Sequence, residues 1–146
     1  MKTRYVVGFA FTRSNKCVLL IEKTRPEWQK GKWNGIGGHI EGDETPMEAM
    51  KREALEETGI SSDFKWEHYA TMRGEDFECF VFAGRISEPP TAASDTGERL
   101  YVWPLPLKGL PRIANLHFLI EAALVRDSFK HIEITCGQNG ATGQAK

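Results

Sequence analysis

Gly38-His39-Ile40-Glu41-Gly42-Asp43-Glu44-Thr45-Pro46-Met47-Glu48-Ala49-Met50-Lys51-Arg52-Glu53-Ala54-Leu55-Glu56-Glu57-Thr58-Gly59-Ile60 holds the clearest helix signal in the chain. Thr45 suits an N-cap, Pro46 the first helical position, and Glu48 completes a Thr-x-x-Glu capping box. The helix is expected to run to about Thr58, where Gly59 supplies a C-terminal stop. With about 100° per residue, Glu53, Glu56 and Glu57 fall within an arc of roughly 100°. Met47, Met50 and Ala54 lie together beside that arc and are expected to face the core, with Leu55 extending the apolar side.

By local rules the carboxylates are badly placed. Like charges three and four residues apart repel by a few tenths of a kcal/mol per pair. Glu56 and Glu57 also stand in the last turn, where the helix dipole disfavours anions by roughly 0.3–1 kcal/mol each. Arg52 offsets part of this through an i,i+4 contact with Glu56. A Glu-rich helix is most often a solvated face. Hard oxygen ligands gathered on a rigid element are equally what Mg²⁺ or Mn²⁺ requires, and local rule-breaking tends to mark function.

Upstream, Tyr5 to Phe11 and Cys17 to Ile21 read as strands separated by the Ser14-Asn15 turn. Lys23 to Lys32 is a basic loop. Trp33 to Ile40, with Gly35, Gly37 and Gly38, reads as a short strand whose backbone something approaches closely. Downstream, Phe64 to Met72 and Phe77 to Ile86 read as strands, followed by a polar loop from Ser87 to Glu98. Leu100 to Trp103 is a further strand. Asn115 is expected to cap a second helix through Leu124, and His131 to Thr135 forms a last strand. The pattern predicts a single α+β domain over residues 1–136, with 137–146 as a flexible tail.

The bulk properties fit that reading. The 146 residues are 40% hydrophobic and 27% charged, with net charge −1 and a pI near 6.4. This balance argues against long nucleic acid as partner and leaves a small nucleotide open. Cys17, Cys79 and Cys136 show no paired spacing, so neither a disulfide framework nor a zinc site is indicated. No apolar run can span a bilayer and no signal peptide is evident, so a cytoplasmic protein is expected, without membrane partners.

The quoted stretch resembles the Nudix box, G-x5-E-x7-R-E-U-x-E-E-x-G-U, where U is a bulky aliphatic residue. Gly38, Glu44, Arg52, Glu53, Glu56, Glu57, Gly59 and Ile60 fit, and the small Ala54 departs mildly. The resemblance implies the family's αβα sandwich with a mixed β-sheet. It also implies divalent metal ions held by Glu53, Glu56 and Glu57, with Glu57 the chief direct ligand and the Gly37 carbonyl in a ligand-like position. Arg52 would orient carboxylates and Glu44 would fix the loop. The implied chemistry is hydrolysis of a phosphoanhydride bond, with Glu53 or Glu98 taking a proton. The plain alternative for Glu98 is an exposed loop charge.

Lys23 and Arg25 are candidates for phosphate contacts, against a solvated loop. Trp33-Asn34-Gly35 resembles oxidised-purine nucleoside triphosphatases, in which the asparagine helps read the base. Asn34 and Asn115 can both donate and accept toward a purine edge, although Asn115 serves equally as a helix cap. Trp28 or Trp103 can stack on a base, with Trp103 alternatively in the core. The glycine segment lacks the third glycine of a dinucleotide fingerprint and no Walker A sequence is present. The histidines lack metal spacing. The expected substrate is a nucleoside triphosphate, with 8-oxo-dGTP as an example, giving monophosphate and pyrophosphate. The alternatives are a nucleotide sugar, a dinucleoside polyphosphate, or a non-catalytic nucleotide-sensing module.

Overall fold

A computed structural model describes residues 2–12, 14–87 and 98–137. The strands are β1 (Thr3–Thr12), β2 (Cys17–Glu22), β3 (Trp33–Asn34), β4 (Ile36–His39), β5 (Glu67–Arg73), β6 (Phe77–Arg85), β7 (Arg99–Pro104) and β8 (Ile132–Thr135). The helices are α1 (Pro46–Thr58) and α2 (Leu116–Leu124), with 3-10 turns at Glu27–Gln29 and Arg126–Ser128. Most of the expected Ser87 to Glu98 loop and nearly all of the expected tail lie outside the described residues. The strand expected from Phe64 begins only at Glu67, because Phe64 closes a turn on the Ser61 carbonyl and then packs edge-on against Trp66.

The sheet is mixed. β1 runs parallel to β6 along nearly its whole length, and β6 continues through antiparallel β5 to parallel β8. On its other edge β1 pairs with β2 only at Phe11↔Val18 and Thr12↔Cys17. The two strands then diverge, and the glycine segment fills the fork. β3 pairs with β2 at Ile21↔Asn34 and Glu22↔Trp33, while β4 pairs with β1 from Gly8↔Ile36 to Tyr5↔His39. Gly35 sits at the join, where an added Cβ would stand 2.7 Å from the Gly8 carbonyl oxygen and 2.8 Å from the Phe9 ring. What approaches this backbone is the protein's own β1. β7 covers the outer edge of β2.

Alternation along β1 divides the core into two layers, as a period of two requires. Val6 and Ala10 join Leu19, Ile21, Ile36, Ala49, Met50 and Ala54 beneath α1. Val7, Phe9 and Phe11 join Val18, Leu20, Trp33, Tyr69 and the α2 residues Leu116, Leu119 and Ile120. The result is an αβα sandwich. α1 comes close because Gly8 lies beneath it, where a Cβ would stand 2.6 Å from Met50 Cε. Burying Met50 completely contributes about 1.5–3 kcal/mol.

Leu55 corrects the expected apolar face, since it is 51% exposed. It lies about 140° around the helix from Met50, on the solvent side. Glu57, only about 20° from Met50, takes the buried place instead. No helix among the described residues is long and apolar enough to cross a membrane.

Candidate active site

α1 is set by its ends. The Thr45 hydroxyl accepts from the Glu48 N–H at 3.1 Å and Glu48 Oε1 accepts from the Thr45 N–H at 2.8 Å, a reciprocal capping box. Gly59 adopts φ 78° and its N–H donates to the Leu55 carbonyl at 3.0 Å. A left-handed residue at this position is what ends the helix. The rod therefore has fixed limits, and its acidic side chains leave it at fixed heights over β4.

Arg52 organises one side of the rod. Its Nε and Nη2 donate to the two Glu44 carboxylate oxygens at 2.6 and 3.0 Å, a bidentate pair. Nη1 donates to Glu53 Oε1 at 2.9 Å and to Glu56 Oε2 at 3.4 Å, and Nη2 also reaches the His39 carbonyl at 3.0 Å. Glu44 Oε1 in turn accepts from the Glu41 N–H, closing the loop before the helix. Bonding to Arg52 holds the Glu44 carboxyl below its usual range, and bonding to Glu44 pushes the Arg52 guanidinium above its own. Glu53 lies over the Gly38 backbone, where an added Cβ would stand 2.6 Å from its Oε1. Burial raises the Glu53 carboxyl, against the downward pull of Arg52.

Glu57 belongs to the other side. It is 3% exposed, and its Oε1 accepts from the Gly37 N–H at 2.9 Å. Among the described residues no lysine or arginine forms an ion pair with it. Burial pushes its carboxyl up to about 8; the Lys23 ammonium pulls down, while the like charges of Glu53 and Glu98 add to the rise.

Glu98, placed just before β7, is buried at 7% and so is not an exposed loop charge. The Glu22↔Arg99 pairing brings the residues that follow β2 beside it. Glu98 Oε2 accepts from the Thr24 N–H at 2.8 Å and from the Thr24 hydroxyl at 3.2 Å, and Lys23 Nζ lies 3.7 Å from Oε1. Thr24 carries no motif and was invisible as a site residue, because its partner is 74 positions away. The Lys23 side chain is mostly withdrawn from solvent, whereas Arg25 on the same loop is exposed.

Asn34 Oδ1 accepts from the Gly35 N–H at 2.8 Å, which stiffens the turn into β4. Asn115 corrects the capping expectation. It stands at the N-cap of α2 with φ 70°, its side chain makes no cap bond, and its Nδ2 is buried without a hydrogen-bond partner among the described residues. A left-handed backbone is not the extended conformation from which an N-cap side chain bonds the first turn. Its segment is held to β3, since the Ile113 N–H donates to the Trp33 carbonyl at 3.2 Å. Trp103 meets Trp33 edge-on at 5.2 Å against the α2-side core, and Trp28 is 44% exposed.

The donor set suits a hard divalent cation in type and in burial. Glu53 and Glu98 place charges that act on Glu57, which is almost fully desolvated and has no paired cation among the described residues. Among the described residues, as they stand, no group of three His, Cys, Asp or Glu side chains converges closely enough to hold a metal ion. Arg52 draws Glu53 and Glu56 toward itself, and each gives it a single oxygen.

Known proteins place the chain. The NUDIX domain family matches residues 1–113. Phosphatase NudJ of Escherichia coli strain K12 is 58% identical over 118 residues, covering 76% of this chain and 69% of its own length. The human 8-oxo-dGDP phosphatase NUDT18 is 29% identical over 133 residues, 87% of this chain, which spans only 41% of that protein. Among solved structures, the MutT protein of Bacillus halodurans superposes with TM-score 0.70 at 21% identity, over 94% of this chain and 92% of its own. The NUDIX domain of Shewanella oneidensis NrtR, solved with ADP ribose, gives TM-score 0.74 at 20% identity, over 86% and 88%. These two share the fold. Box, sandwich and family match agree: the chain belongs to the Nudix hydrolase family.

Proposed function

We propose that this chain hydrolyses a phosphoanhydride bond of a nucleoside triphosphate, using Mg²⁺ or Mn²⁺ and releasing nucleoside monophosphate and pyrophosphate. Oxidised purine nucleotides such as 8-oxo-dGTP are the favoured substrates. The observation that carries the reading is Glu57, a carboxyl 3% exposed and held by the Gly37 N–H at 2.9 Å, with no ion-pair partner among the described residues. Once deprotonated, that carboxylate needs a counter-charge, and a polyphosphate adds only negative charge unless cations come with it. A bound divalent cation supplies that positive charge to the phosphate oxygens.

The chain's own residues have distinct tasks in this reading. Glu53, Glu56 and Glu57 hold the cation, with the Gly37 carbonyl as a backbone ligand. The Gly37 N–H keeps Glu57 in place. Arg52 and Glu44 set the direction of Glu53 and Glu56. Glu98, fixed by Thr24, or Glu53 accepts the proton of the attacking water. Lys23 and Arg25 meet phosphate oxygens. Asn34 and the unpartnered Asn115 amide read the base edge, which a buried donor without a partner favours.

A second reading follows from the relatives. One is named an 8-oxo-dGDP phosphatase and the other a phosphatase, which favours a nucleoside diphosphate and release of inorganic phosphate. A screen of nucleoside tri- and diphosphates, their 8-oxo forms, nucleotide sugars and dinucleoside polyphosphates with Mg²⁺ decides between them by product. Pyrophosphate supports the first reading and inorganic phosphate the second. No cation-dependent turnover of any of these would sink both.

A further inference from the structure

Lys23 stands in an unusual place for a phosphate-binding lysine. Its side chain is 14% exposed and its partner Glu98 5%, so the pair is largely withdrawn from water. Its backbone is pinned at the base of the loop, where its N–H donates to the Lys32 carbonyl and its own carbonyl accepts from the Gly31 N–H, both at 2.8 Å. The side chain is thus aimed by the end of β2 and not by a swinging loop. Its charge acts on Glu57 and on Glu53 as well as on Glu98. Arg52 is committed to Glu44, Glu53 and Glu56.

We propose that Lys23 is the resident counter-ion of Glu98 beside the Glu53 and Glu57 carboxyls, competing with the incoming divalent cation and passing to the polyphosphate once that cation binds. The inference rests on the metal-dependent reading above. An ammonium and a divalent cation brought to the same carboxylates repel each other, and each weakens the carboxylates' hold on the other. In the protein without metal the ammonium pairs with Glu98 and favours the charged forms of Glu53 and Glu57. When the cation takes those charges, Lys23 is left without its counter-charge beside the oxygens of an arriving phosphate. The same side chain then costs metal affinity and contributes substrate affinity, opposite signs that a purely structural lysine does not give.

The test is Mn²⁺ titration of the substrate-free chain by calorimetry, with KM for the nucleotide measured separately. Lys23→Met should bind Mn²⁺ at least about threefold more tightly than wild type, while its KM rises. Lys23→Arg should return both toward wild type. Should the methionine variant melt early by circular dichroism, Lys23→Gln removes the charge and keeps a donor for Glu98. Mn²⁺ binding that is unchanged or weaker in the neutral variants overturns the inference and leaves the metal-dependent reading intact. Absence of Mn²⁺ binding in wild type overturns both.

Discussion

Helix α1 and helix α2 flank the same sheet but are held by different means. α1 starts with Thr45 and Glu48 exchanging hydrogen bonds, ends on a left-handed glycine, and lies against the sheet on small residues, Ala49 and Ala54. α2 starts at Asn115, whose side chain caps nothing, and is held by Leu116, Leu119 and Ile120 in the core. The Tyr69 hydroxyl fastens it by donating to the Leu119 carbonyl at 2.7 Å. The helix with self-sufficient ends carries the clustered acids, and the helix held by packing spares a polar side chain at its start. A frame that is locally determined can bear charges that local rules disfavour, because its ends do not depend on them.

The largest expected effect breaks α1 as a site and leaves it as a helix. Glu57→Gln should lower kcat by at least about 100-fold in steady-state assays, with the circular dichroism spectrum unchanged. Near-normal turnover in that variant would remove Glu57 from the machinery.

Next comes the cost of its charge. A carboxyl raised from 4.5 to about 8 in the folded state binds its proton more tightly there than in the unfolded chain. Its contribution is therefore fully present below the unfolded value and is lost as pH rises through the folded one. The unfolding free energy of the metal-free protein, read by urea unfolding, should fall from about pH 5 to about pH 8 by an amount on the order of a few kcal/mol. Glu57→Gln should flatten that slope, and so should saturating Mn²⁺. A slope identical in wild type and variant would assign it to another group.

The smaller effects compare the two helix starts directly. Thr45→Ala should cost about 1 kcal/mol in urea unfolding, the worth of a side-chain cap. Asn115→Gly should cost only a few tenths of a kcal/mol or stabilise slightly, because glycine accepts the φ of 70° and no cap bond is lost. KM should nonetheless rise in the Asn115 variant if its amide reads the base. Equal stability losses at the two positions would erase the contrast.

Much of α1 was legible beforehand. Thr45, Pro46, Glu48 and Gly59 mark its limits by chemistry that acts within a few residues, and the succession of strands along the chain followed from apolar runs between turn residues, save that Trp33 to Ile40 forms two strands, β3 and β4. Leu55 departs from the apolar side because it stands about 140° from Met50, and Glu57, about 20° from Met50, is buried for the same reason. Asn115 was misjudged because its position before a helix says nothing of its backbone φ.

The amino-acid order by itself determined the helix, the acids upon it and the glycines that let the acids approach. These depend on contacts a few residues long and on side-chain periodicity. Only the tertiary structure decided that Glu98 is buried against Thr24 and Lys23, that Glu57 leans on the Gly37 N–H, and that Arg52 takes Glu53 and Glu56 to its own side. Most of those partners lie far apart in the chain, and strand register and helix packing bring them together. A charge's partners and its distance from water exist only once the sheet has closed.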